Sequence, residues 1–146
     1  MKLKKRILLS VVLLPFFLVA QNWEDTYNIA LEKSSSENKP IILVFAGSDW
    51  CAPCKLLDKQ IWQSDDFKTY AEDNYVLYKA DFPRKKANKL DEKKSLINNK
   101  LAEKFNLRGF FPLVIVLDKN EKVLGETGYK RKDPKAYITM LNSFIK

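Results

Sequence analysis

Pro40 to Lys55 reads P-I-I-L-V-F-A-G-S-D-W-C-A-P-C-K, and it holds both cysteines of the 146-residue chain. Ile41 to Phe45 is an apolar, β-branched run of the length of a buried strand, and Gly47, Ser48 and Asp49 break it as a turn. A helix is expected next. Pro53 suits a first helical turn, where its missing N–H would have no partner anyway, and Leu57 and Ile61 fall on one face of K-L-L-D-K-Q-I-W, Lys55 to Trp62. Cys51 therefore stands where strand gives way to helix.

That position has a chemical consequence. Unpaired N–H groups and the positive end of the helix dipole stabilise an anion at the first turn. A free thiol titrates near pH ~8.5, and in Cys-x-x-Cys motifs at helix starts the value falls to roughly 7 or below. Cys51 is thus expected to be a nucleophilic thiolate, and Cys54, one turn further in, to be more shielded and close enough for a disulfide. Two other readings stay open. Cys-x-x-Cys is half a zinc site, but the chain has no further Cys and no His, so zinc would need two chains to share ligands. A static disulfide in an exported protein also fits two cysteines, although structural bridges gain most by tying distant segments and this one closes a very short loop. Redox activity without a metal is the favoured expectation.

The leader sets the compartment. Lys2, Lys4, Lys5 and Arg6 precede an apolar stretch from Ile7 to Ala20, 14 residues, short of the ~20 of a membrane span. Residues 1–20 read as a signal peptide cleaved after Ala20, leaving 21–146 as the mature domain and an exported, periplasmic destination. Leu18 fits the small-residue preference poorly, which keeps an uncleaved membrane anchor as the alternative. Removing the leader takes the formal charge from +8 to +4, with 22 Lys and Arg against 18 Asp and Glu. That balance gives no basis for nucleic-acid binding. At 46% apolar content the 146-residue chain can fill one α/β core and not two.

The segment W-C-A-P-C-K after an apolar strand resembles the thioredoxin superfamily, whose typical site is W-C-G-P-C-K. The longer G-S-D-W-C-x-x-C is similar to exported thioredoxin-like proteins related to the C-terminal domain of disulfide-interchange reductases, and the resemblance runs from Trp23 to Lys146. It implies an α/β thioredoxin fold, a central mixed sheet flanked by helices in a single domain. The activity implied is thiol–disulfide exchange in the cell envelope, with Cys51 attacking and Cys54 resolving, and no bound cofactor because electrons travel as thiols. Implied partners are disulfide-containing exported proteins and a membrane electron donor, met by a monomer. The resemblance also makes Pro112 a cis proline facing the cysteines, leaving the Phe111 backbone free to pair with an extended substrate, while Trp50 covers one side of the nucleophile. Ala52-Pro53 resembles reducing members more than oxidants. An oxidase or isomerase, or a non-catalytic peptide-binding module with locked cysteines, remains the alternative.

One departure is visible. Many thioredoxins carry a buried acid six residues before the first cysteine; here that residue is Phe45, preceded by Val44. Proton transfer at Cys54 would then fall to water, Asp49 or Lys79.

The flanking chain reads as further alternation. Asn22–Ser36 is expected as a helix with Glu24 and Asp25 in its first turn, Ser64 as the cap of another, and Tyr75–Asp81 as a strand parallel to the first. Arg84 to Lys100 is strongly basic, leading from an Asn88–Asp91 capping pattern into a helix that reaches Asn106. Leu113–Leu117 is a strand, Asp118–Glu121 a hairpin turn into Lys122–Gly125, and Asp133-Pro134 opens a final helix.

Overall fold

The computed structural model describes residues 23–146. The leader and the boundary after Ala20 lie outside those residues, and among those described no helix is long and apolar enough to cross a membrane. Strand β1, Ile41–Ala46, is buried along its whole length and lies inside a four-stranded sheet. Its neighbours are β2, Val76–Asp81, running parallel, and β3, Leu113–Leu117, running antiparallel. The outer strand β4, Val123–Thr127, pairs antiparallel with β3, so the order is β2-β1-β3-β4 and the sheet is mixed. An unbroken apolar run is what a strand covered on both faces requires.

Among the described residues five α-helices cover those faces: α1 Tyr27–Glu37, α2 Ala52–Leu57, α3 Asp65–Asn74, α4 Glu92–Phe105 and α5 Pro134–Asn142. Along β1 the side chains alternate. Ile42, Val44 and Ala46 join the core that contains Cys51, Cys54, Trp62, Phe67 and Tyr137, while Ile41, Leu43 and Phe45 join the one that contains Tyr27, Tyr78 and Leu101. The cysteines thus belong to a single face. Trp62 anchors it, 1% exposed, with the rings of Trp23, Phe67 and Tyr137 at 5.9, 4.7 and 5.6 Å.

Several expectations are corrected in detail. Helix α1 begins at Tyr27 rather than Asn22, because Thr26 accepts the Ile29 N–H as cap while Trp23 makes a parallel bridge to Leu77. Asp91 is itself the cap of α4, accepting from Lys94 N, which frees Asn88 for another role. The active-site helix also changes pitch: α2 passes into a π-helical turn over Asp58–Trp62 where a regular helix was expected. Asp133 and Pro134 open α5 as expected, although Ile138 joins the buried face and the helix stops at Asn142.

Candidate active site

Strand β1 ends at Ala46, and the turn that follows delivers Cys51 to the start of α2. Cys51 N donates to Gly47 O at 2.8 Å, and Cys51 is the N-cap of α2, its Sγ accepting the Cys54 N–H at 3.3 Å. Pro53 occupies the first turn. Cys51 and Cys54 form a disulfide, and they are 4% and 5% exposed. The expected difference in shielding is therefore not seen in the oxidised state, where Trp50 and Phe111 pack as a cover against the buried cluster that holds both cysteines.

Aromatic rings build that cover. Trp50 meets Phe111 edge to face at 5.3 Å, and Phe111 meets Phe82 at 5.5 Å. Trp50 Nε1 donates to Phe82 O at 2.8 Å. The indole fits only because residue 47 is glycine: a Cβ there would overlap Cε2, Cζ2 and Nε1 of the ring. The Phe111–Pro112 peptide bond is cis. Its loop is stapled by Asn106, whose amide accepts from Phe110 N and donates to Phe110 O, both at 2.9 Å, while Gly109 supplies the left-handed φ of 63°. Trp50, Cys51, Cys54, Phe111 and Pro112 are thus brought to one place.

Behind Cys54 lies a cavity of about 190 Å³ whose lining includes Val44, Asp58, Lys79 and Pro112. From β1 it is lined by Val44 and Ala46, while Phe45 lies on the other face of the sheet. Alternation along the strand puts Phe45, six residues before Cys51, on the face away from the cysteines. Lys79 Nζ and Asp58 Oδ1 pair at 3.0 Å, with Lys79 also 4.7 Å from the centre of the Trp23 ring. Asp58 was missed in the sequence reading. Its signal was the spacing of four from Cys54, which puts both on one helix face.

Asp49 is placed differently from Lys79. Its carboxylate accepts from Arg84 N at 3.0 Å, Lys85 N at 2.9 Å and Asn88 Nδ2 at 3.0 Å. Hydrogen bonds from the Arg84 N–H and the Asn88 amide, joined by the Lys85 N–H, hold the carboxyl down to about 2. A carboxylate so satisfied is a poor proton acceptor near neutrality, and it binds a loop instead. Among the described residues no cluster of three or more Cys, Asp or Glu could hold a metal.

Residues 27–145 match the sequence profile of a family described as a thioredoxin-like domain. The chain is 36% identical over 124 residues to the disulfide bond reductase DsbH of Chlamydia pneumoniae, covering 85% of this chain and 72% of that protein. It is 25% identical over 131 residues to the thioredoxin-related protein DsbJ of the same organism, covering 85% of this chain and 37% of that protein's length. A solved structure of a DsbH oxidoreductase superposes with a TM-score of 0.79 at 34% identity, over 85% of this chain and 83% of that one. A thioredoxin from Thermus thermophilus shares the fold, at a TM-score of 0.60 and 11% identity over 82% of this chain and 83% of that one.

Proposed function

Since this chain belongs to the thioredoxin-like family and is a thiol–disulfide oxidoreductase, we propose that it works reductively in the cell envelope, on disulfides of exported proteins. One observation carries the reading. The sulfur of Cys51 sits at the N-cap of α2 within reach of the Cys54 N–H, so the thiolate formed on reduction already has a hydrogen-bond donor. The 36% identity to a disulfide bond reductase favours reduction over oxidation.

The cycle balances in two exchanges. The Cys51 thiolate attacks one sulfur of the substrate disulfide; that bond breaks, the departing sulfur takes a proton, and a mixed disulfide joins Cys51 to the substrate. Cys54 then loses its proton and attacks Cys51 Sγ, which releases the second substrate thiol and leaves the Cys51–Cys54 disulfide. A membrane-bound dithiol returns the two electrons. The substrate segment lies extended against Trp50, Phe111 and Pro112, pairing with the Phe111 backbone. The Cys54 proton leaves through the cavity that Lys79 and Asp58 line, while Asp49 stays outside that path. Residues 1–20 act as the export leader for a periplasmic domain beginning at residue 21.

The test is the reduction potential of the purified protein, equilibrated in defined thiol buffers with alkylated cysteines counted by mass. A value near or below roughly -250 mV is expected of a reductase. A value above roughly -180 mV would make it a disulfide donor or isomerase instead, and a disulfide that resists mild reductant would make it a binding module.

A further inference from the structure

The basic stretch after β2 takes no part in the redox cycle as described, yet it has a fixed place beside it. Residues 82–90, F-P-R-K-K-A-N-K-L, contain four cations and no acid. Their backbone is latched to the two residues that precede the nucleophile. Asp49 accepts from Arg84 N, Lys85 N and Asn88 Nδ2, and Phe82 O accepts from Trp50 Nε1. The Arg84 guanidinium then lies 3.8 Å from the centre of the Trp50 ring, over the same indole that packs on Phe111. Arg84, Lys85, Lys86 and Lys89 all expose their side chains.

Among the described residues no ion pair ties these four cations to a neighbouring acid. Asp49 is turned into the latch, Asp81 accepts from Ser48 N at 2.9 Å and from Ser48 Oγ at 2.6 Å, and Asp91 caps α4. Arg84 is thus held at the lip of the site where an extended substrate would pass, with three exposed lysines on the same latched segment. A stacked guanidinium is already ordered, so it loses little freedom when it engages a carboxylate.

We propose that this latched rim selects substrates: the disulfides reduced fastest are those whose flanking peptide carries Asp and Glu residues. The inference rests on the reductase reading of the Cys51–Cys54 pair and names its substrate class. Exposed charges act within about 8 Å at physiological salt and mainly through the rate of encounter, so the preference is a salt-dependent rate effect. Asp49 is a positioning residue in this scheme, because it touches the rim and not the substrate.

The experiment uses the reduced protein and two synthetic peptides with the same ring and the same single disulfide, one flanked by Asp and the other by Lys, with a small uncharged disulfide as reference. Second-order rates are read by rapid mixing at ~20 mM and ~300 mM salt. The acidic peptide is expected to react about tenfold faster at low salt, with the ratio shrinking toward one at high salt. Replacing Lys85→Glu, Lys86→Glu and Lys89→Glu together is expected to invert the ratio, which each protein reports against itself whatever its absolute rate. Equal rates for the two peptides, with the uncharged disulfide still reduced, would overturn the selection while leaving the reductase reading intact. Failure to reduce even the uncharged disulfide would overturn both. Equal peptide rates together with lysine-dependent sedimentation on phosphatidylglycerol vesicles would assign the rim to a membrane surface instead.

Discussion

Residues 52–62 carry Cys54 and residues 82–88 are latched to Asp49 and Trp50, the two residues before Cys51, and the two segments are held in place by different forces. The first segment turns Cys54, Leu57, Ile61 and Trp62 into the core, each 5% exposed or less, so its position is set by apolar burial. The second has no fully buried residue. Its hold is the Asp49 latch, the Trp50–Phe82 hydrogen bond and one guanidinium stacked on an indole. The redox chemistry is therefore coupled to global stability, while the rim can be altered by exchanging a few polar groups. A fold that must keep one reaction and meet changing substrates gains from that separation.

The comparison breaks first at the sulfurs. Cys51→Ser is expected to abolish turnover of a peptide disulfide, and Cys54→Ser to accumulate a covalent adduct visible by mass; normal turnover in either variant would end the proposed mechanism. Next comes the buried segment. Trp62→Ala should cost about 3–5 kcal/mol in denaturant unfolding, because it deletes a large side chain touched by three rings. If the rim were part of the same cooperative packing, its variants would cost as much. Asn106→Ala should cost less, about 1–3 kcal/mol, by unpairing the Phe110 N–H and carbonyl, and should raise KM for peptides more than it lowers kcat. Gly47→Ala should expel the indole from its seat, seen as a red shift of Trp50 fluorescence in a background where Trp23 and Trp62 are accounted for.

Smaller effects sharpen the contrast. Asp58→Asn and Lys79→Met should each slow decay of the mixed disulfide several-fold in single-turnover mixing, whereas Asp49→Asn should leave that decay unchanged and narrow the Asp-to-Lys peptide ratio. Asp49 also fixes the pH range of the latch. Its folded carboxyl titrates below the ordinary value, so the latch is complete above that value, near 4, and is lost as pH falls through about 2. Amide signals of Arg84 and Lys85 should accordingly stay constant from pH ~5 to ~8 and shift only in strong acid. A shift near neutrality would mean that another group holds the loop.

Much of this arrangement was legible in the residues. The run Ile41–Phe45 announced the central strand by composition alone, and W-C-A-P-C-K carried both the family and the position of the cysteines. The cis bond at Pro112 came with the resemblance and not from any local signal. What escaped depends on contacts distant in sequence. Nothing near Asp49 reveals that its partners are backbone N–H groups 35 and 36 residues on. Glu24 and Asp25 imitate a helix start, but the Trp23–Leu77 bridge takes that segment along β2 and leaves the capping to Thr26. The π-helical turn at Asp58–Trp62 is equally silent, because K-L-L-D-K-Q-I-W satisfies the regular helical period.

The bridge at Trp23 also gives the domain a polarity. Leu77 lies opposite Ile42, near the beginning of both parallel strands, whereas the disulfide follows the far end, where Ala46 faces Asp81. The separation is about 13 Å of strand. Chain preceding Trp23 therefore joins the domain at the pole away from the sulfurs.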